Sequence, residues 1–241
     1  MRFSDFDVLT FDMIGTLIDF ETGVLDFVRP RILKAKHEIS DTDLLECYAR
    51  SQSVVRTREP GLLFSERLPK IWTEMAAEYR MPVADNDGPL FVRSARQWPP
   101  FPDSAAALAE LKKYFRFLVV VTNGDRLSAR TMAAALGSPF SEIITEEDMG
   151  VAKPDPRAFE YVMGHLEKQG VKKHRILHVA QSQYHDIGVA RSLGLATAWI
   201  YRRHGKPGYG GTQIPPAFTP PDFLATSLQD LLRQLLAELS A

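Results

Sequence analysis

Short, nearly unbroken apolar runs alternate along this chain with longer stretches in which apolar residues recur every three or four positions. The runs Val8–Asp12, Phe117–Thr122, Ile143–Thr145, Ile176–Ala180 and Thr197–Tyr201 predict strands. Most are apolar at successive rather than alternate positions, which suits parallel strands covered on both faces. The helical patterns between them have readable ends. Ser104 is placed to cap a helix running to Tyr114, Leu127–Leu136 stops at Gly137, Pro156–Lys168 stops at Gly170, and a helix after Asp186 stops at Gly194. In the last segment Leu228, Leu231, Leu232, Leu235, Leu236 and Leu239 form one apolar stripe. This alternation predicts an α/β fold, a three-layer Rossmann-like parallel sheet with right-handed crossovers.

One stretch breaks the pattern. Residues 20–98 contain no convincing strand, only helical segments near 23–37, 41–56, 64–79 and 88–97. They predict a helical cap domain inserted after the first strand, leaving residues 1–19 and 99–241 as the α/β core. The chain returns through W-P-P-F-P-D, residues 98–103, stiff enough for a boundary. A second irregular piece, residues 202–216, is long for a compact domain, and such loops tend to carry function or contacts.

Composition narrows the function classes. The 241 residues carry a net charge of −1, so nothing in the balance favours nucleic acid or an anionic membrane as partner. Cys47 is the single cysteine, which excludes an internal disulfide and fits a reducing compartment. No apolar run approaches the ~20 residues of a membrane span. The opening M-R-F-S-D-F-D is too acidic for a signal peptide, so a cytoplasmic location is expected.

In open α/β sheets, ligands bind outside the carboxyl ends of the strands. Four predicted strand ends carry polar groups: Asp12; Thr122 and Asn123 in V-T-N-G-D; Lys153 in V-A-K-P-D-P; and Asp186 in A-Q-S-Q-Y-H-D-I. Any one alone is better read as a turn or a helix cap. Four in this order are a more specific signal. The set resembles the haloacid dehalogenase superfamily over nearly the whole chain, with F-D-M-I-G-T-L, T-N-G, K-P-D-P and the Asp186 run in the places of its four motifs. The resemblance implies Asp12 as nucleophile, Thr122 and Lys153 at the second and third motifs, Asp186 as the last acid, and a cap at 20–98.

The departures carry information. Phosphatases of this superfamily usually have a second Asp two residues after the nucleophile, where this chain has Ile14. They usually have Gly-Asp at the start of the fourth motif, where Ala180 and Gln181 stand here. A hard cation wants several charged oxygens, so Asp12, Asp186 and a backbone carbonyl would hold Mg²⁺ only weakly. An alkoxide leaving group needs a proton or a metal, whereas a halide or a protonated strained ring amine needs neither. A carboxylate with an ordinary pKa of about 3.9 is already ionised at neutral pH and can attack unaided.

The expected activity is therefore metal-independent hydrolysis of a small 2-substituted carboxylate through an aspartyl ester, without a cofactor. The alternative is a Mg²⁺-dependent small-molecule phosphatase. The stretch 198–210, with H-D-I and W-P-P-F-P-D, resembles the (S)-2-haloacid dehalogenase-like branch that includes azetidine-2-carboxylate hydrolase. By position, Lys153 should sit beside Asp12, and Asp186 should position Lys153 or the hydrolytic water, with Ser182. Thr122 and Asn123 should bind the substrate carboxylate or the departing group. Among Arg50, Arg56 and Arg58, Arg50 is taken as the cap arginine that meets the substrate, and Tyr184 as a pocket-lining residue. Trp72, Phe64, Cys47 and His178 are expected to serve packing. The partner expected is a small carboxylate rather than nucleic acid or membrane, and the resemblance points to a homodimer.

Overall fold

The four residues of β1 (Val8–Phe11) are all buried because β1 lies at the centre of the sheet, paired in parallel with β2 (Phe117–Thr122) on one side and β4 (Ile176–Ala180) on the other. The computed structural model describes all residues 1–241. Beyond β2 lies β3 (Glu142–Thr145), and beyond β4 lie β5 (Ala196–Ile200) and β6 (Phe223–Ala225), giving one six-stranded sheet in the order β3-β2-β1-β4-β5-β6. Every neighbouring pair is parallel, so all six carboxyl ends open on the same edge. β6 has no counterpart among the expected strands; three residues are too few to show a period.

Four helices lie between β1 and the rest of the sheet: α1 (Phe20–Lys34), α2 (Asp41–Arg58), α3 (Phe64–Glu78) and α4 (Asp87–Ala95). α1 starts three residues earlier than its apolar pattern suggested, since the Asp19 carboxylate accepts the Thr22 N–H at 3.1 Å and caps it. Trp72, Tyr48, Leu68 and Phe91 are fully buried among these helices, and Phe27 stacks on Phe91 at 4.3 Å between centroids. This apolar cluster runs without a break through Phe20, Leu17 and Trp98 to Leu9 and Phe11 under the sheet. The two segments that join insertion to sheet run side by side, with Asp19 N–H donating to Pro99 O (2.8 Å) and Phe101 N–H to Leu17 O (3.0 Å).

The remaining helices are α5 (Ser104–Leu111), α6 (Arg126–Ala135), the one-turn α7 (Glu146–Met149), α8 (Pro156–Lys168), α9 (Gly188–Ser192) and α10 (Leu228–Leu239). Val8, Val119, Val121 and Ile144 pack under Phe159, Val162 and Leu166 of α8, while Leu228, Leu231, Leu232 and Leu235 of α10 belong to the larger cluster. α5 is shorter than expected and Ser104 does not cap it. Asp103 stands at that cap position, and its carboxylate instead accepts the Leu228 and Gln229 N–H groups at the start of α10 and pairs with Arg202 at 2.7 Å. No helix is long and apolar enough to cross a membrane.

Candidate active site

Asp12 follows β1 directly, and its N–H still donates across to Val179 O at 3.1 Å. The chain then turns through Gly15 at φ +96°, a conformation open to glycine; a Cβ there would press on Phe20 and on Gln181 Oε1 at 3.2 and 3.3 Å. The turn brings Thr16 back so that its hydroxyl donates to Asp12 Oδ2 and accepts the Gln181 N–H, both at 2.8 Å. Residue 16 thereby ties the ends of β1 and β4 together.

Lys153 enters from the loop after α7 and is almost wholly buried. Its ammonium donates to Asp12 Oδ1 (3.0 Å), Asp186 Oδ1 (2.5 Å) and Val121 O (2.7 Å), which uses all three protons. Asn123 holds the lysine backbone from both sides: its Oδ1 accepts the Lys153 N–H at 2.7 Å, and its Nδ2 donates to Lys153 O at 2.8 Å. Asn123 also lines the cavity, and its Nδ2 keeps a second N–H beyond the one given to Lys153 O. Thr122 lines the cavity, and its Oγ1 accepts the Gly124 N–H at 3.0 Å.

Asp186 lies on a π-helical turn, Gln183–Ile187, which follows β4 and starts at Ser182. Its Oδ1 faces Lys153 and the Nε2 of His178, the latter at 3.1 Å. Since the carboxylate can only accept, His178 donates through Nε2 and accepts from Thr10 Oγ1 at Nδ1, 2.9 Å away. His178 is thus a satisfied core histidine, but one that orients Asp186. Burial holds it neutral, with its pKa lowered.

Burial also raises the Asp12 carboxyl, to about 6, against the pull of Lys153. Asp186 is as deeply buried, but Lys153 and His178 outweigh that and hold it at about 2. Lys153 is raised because its two carboxylates outweigh the burial that works against its charge. The ammonium therefore stays charged and is no proton donor near neutral pH.

Above these groups is a cavity of about 60 Å³, room for about four waters. Its lining comes from every layer: Asp12, Ile14, Lys153 and Asp186 below, Tyr48, Gln52, Arg56 and Phe64 above, and Gly211 and Thr212 from the 202–216 loop at one side. Phe20, Asn123, Gln181, Ser182 and His185 complete it. Two of the expected contacts are elsewhere. Arg50 is exposed on the outer side of α2, paired with Glu78 at 2.6 Å, and Tyr184 lines a separate groove beside it. Their places in the cavity are taken by Arg56, whose guanidinium donates to Lys153 O at 3.3 Å, and by His185. The reason is helical phase: Tyr48, Gln52 and Arg56 are spaced by four residues, whereas Arg50 is rotated by about 200° from Tyr48.

Sequence reasoning also missed Arg67 and Glu146, a buried pair at 2.9 Å. Arg67 donates to Asn123 O at 3.1 Å, and Glu146 accepts the Phe64 N–H at 2.7 Å, so the pair fastens α3 over the ends of β2 and β3. The signal was present only as K/R and E/D in amphipathic helices, where solvated positions are the rule.

The donor set does not fit a divalent cation. Lys153 lies between the two carboxylates, Asp12 Oδ2 is occupied by Thr16, and no three Asp, Glu, His or Cys side chains converge.

A family profile described as haloacid dehalogenase-like hydrolase matches residues 6–194. Phosphoserine phosphatase of Thermus thermophilus is 30% identical over 114 residues, 46% of this chain and 45% of that protein. The (S)-2-haloacid dehalogenase 4A of Burkholderia cepacia is 28% identical over 111 residues, 45% of this chain and 46% of that one. The chain spans about half the length of the curated relatives it matches. The structure of L-2-haloacid dehalogenase from Xanthobacter autotrophicus with chloropropionic acid covalently bound shares the fold, at 18% identity and a TM-score of 0.76 over 96% of this chain and 98% of that one. With the strand-end residues in family order and a profile covering most of its length, this chain belongs to the haloacid dehalogenase-like hydrolases.

Proposed function

We propose that the protein hydrolyses small 2-substituted carboxylic acids through an ester on Asp12, with a halide or a strained ring amine as leaving group. The carrying observation is that Asp12 faces the cavity with no protonated acid beside it to serve a leaving alkoxide: Ile14 and Gln181 stand where acids would be needed, Asp186 is held ionised, and Lys153 is fully engaged. One carboxylate oxygen attacks C2 and the C–X bond breaks, X leaving with the electron pair. For a protonated ring amine, the departing nitrogen becomes a neutral amine still tethered to the product. Water then adds to the Asp12 ester carbonyl, and the oxyanion is met by backbone N–H groups that follow Asp12. The bond from the C2 oxygen to the Asp12 carbonyl carbon breaks as one of that water's protons passes to the C2 oxygen, releasing the hydroxylated acid. The other proton goes to solvent as Asp12 returns to its carboxylate.

Lys153 holds Asp12 ionised and aimed, Asp186 holds Lys153, and Arg56 receives the carboxylate or the departing group. The small cavity favours substrates of about five or six heavy atoms, the scale of about four waters. The covalent adduct named for the Xanthobacter autotrophicus structure supports the ester route. The similarity to a phosphoserine phosphatase keeps phosphate transfer as the competing reading.

A single turnover in ¹⁸O-water with 2-haloacids, azetidine-2-carboxylate and phosphorylated acids, with and without EDTA, separates them. The ester route leaves heavy oxygen in the peptide carrying Asp12 and ordinary oxygen in the product. Phosphate release that EDTA abolishes would replace this reading with the phosphatase.

A further inference from the structure

The cavity over Asp12 is one of three hollows that meet at a single residue. It holds about 60 Å³, a groove of about 430 Å³ lies against its outer side, and a third hollow of about 220 Å³ lies beside Trp199 and Tyr201. Thr212 lines all three, and it is the one residue that cavity and groove share. Elsewhere on this boundary successive residues face opposite ways. Gln52 lines the cavity and Ser53 the groove, and on the π-helical turn His185 lines the cavity and Tyr184 the groove. At position 212 one side chain borders both spaces.

The glycines before it explain why the boundary falls on that side chain. Gly210 and Gly211 bring the backbone so close to α1 that a Cβ would lie 2.0 Å from Glu21 Oε1 at the first and 2.7 Å from the Phe20 ring at the second. Along those two residues the main chain is itself the wall. Thr212 is the next residue and carries the first side chain of the stretch. It is buried; its N–H donates to Tyr209 O at 3.1 Å and its hydroxyl to Gln181 Oε1 at 3.3 Å, which holds it on the boundary. Beyond it, Ala49, Tyr184, Tyr209 and Ile214 give the groove an apolar wall on which an alkyl chain would be shielded from water.

We propose that Thr212 determines substrate size: its side chain is the partition that stops the carbon chain beyond C2 at the cavity wall, and removing its bulk joins the cavity to the groove. The inference rests on the proposed reaction for the class of substrate, a 2-substituted acid, whereas the partition is a matter of shape. An acid the size of 2-bromopropanoate fits the closed cavity. 2-Bromohexanoate carries three further methylenes, which have room only if the partition opens.

The test compares kcat/KM for these two bromo acids, and calorimetric affinities for unreactive propanoate and hexanoate, in the wild type and in variants of residue 212. The wild type should favour the short member of each pair by about tenfold or more. Thr212→Ala should move the long-to-short ratio by about tenfold or more toward the long acid, since each methylene that finds a buried place is worth about fourfold. Thr212→Ser, which drops only the methyl, should move it the same way by at least about threefold. Thr212→Val, which keeps the shape and loses the hydroxyl, should hold the wild-type ratio within about threefold. Adding Ser53→Phe, at an exposed position in the groove, to Thr212→Ala should cancel the gain. The proposal is overturned by a wild type that takes long acids as readily as short ones, by no binding of either unreactive acid, or by a ratio that ignores both alanine and serine. A valine variant that behaves like the alanine one, or a gain that survives Ser53→Phe, overturns it too. If the binding ratio shifts as expected but neither bromo acid forms an Asp12 ester, the proposed reaction fails and the partition stands. If 2-bromopropanoate forms the ester and the ratio ignores residue 212, the partition fails and the reaction stands.

Discussion

In the proposed reaction Asp12 combines two opposing demands. A nucleophile is more reactive when poorly solvated, and burial of Asp12 beside Lys153 provides that while moving its proton affinity up to about 6. The sign of the pH dependence follows. In the proposed reaction the reactive species is the carboxylate, so kcat/KM should be flat above about pH 7 and fall by about tenfold for each unit well below 6. Asp186 and His185, at about 2 and about 3, do not titrate in that window. An acid limb centred near the ordinary carboxylate value, measured with a non-titrating substrate, would show that Asp12 is not the group observed. The same scale shows a limit of motif reading: Asn123 is legible as a strand-end residue, but its two bonds to the Lys153 backbone span thirty positions of chain and leave no local trace.

At the scale of elements, α2 is the informative helix. Its stripe of Tyr48, Gln52 and Arg56 faces the cavity, and Arg50 faces solvent with a 55% exposed side chain. Replacing Arg50 by alanine should change kcat/KM less than about twofold and stability by no more than about 0.5 kcal/mol. Arg56→Ala should lower kcat/KM by about tenfold or more, since it removes the one cavity cation without a fixed carboxylate. Equal losses in the two variants would contradict the helical phase given to α2. In α3 the expectation concerns stability. Glu146→Gln leaves Arg67 buried without its counter-charge and should cost about 3 kcal/mol or more, read as a lower midpoint in urea unfolding. A midpoint within experimental scatter of the wild type would mean that the pair is replaceable by its hydrogen bonds.

For the whole molecule, the helical insertion and the sheet are fastened on two sides of the cavity. Arg67 and Glu146 close one side; on the other, Arg203 pairs with Glu21 at 2.6 Å, and Glu21 also accepts the Gly211 N–H at 3.0 Å. The 202–216 loop is thus held against the start of α1, and Gly211 and Thr212 become cavity wall. Gly210 makes this approach feasible at φ +57°, because a Cβ would lie 2.0 Å from Glu21 Oε1 and 2.3 Å from the Arg203 guanidinium. Gly210→Ala should therefore break the Glu21–Arg203 pair, add about 1–3 kcal/mol of backbone strain, and raise KM several-fold as the wall loosens. Unchanged KM together with unchanged resistance of the loop to protease would show that the wall does not depend on this contact.

The sequence by itself determined the strand–helix alternation, the helical insertion and the order Asp12, Thr122, Lys153, Asp186 at the strand ends, because these depend on local periodicity, turn residues and chain order. It also carried the absence of an acid at position 14. Only the tertiary structure decided which α2 arginine reaches the cavity, that His178 orients Asp186 across the core, that Asn123 serves the Lys153 backbone, and that the 202–216 loop forms a wall. Those features depend on the direction of side chains after distant elements have packed. Arg50 and Arg56 have the same chemistry and share one helix, and their different phase on that helix separates a surface ion pair from a cavity-lining donor.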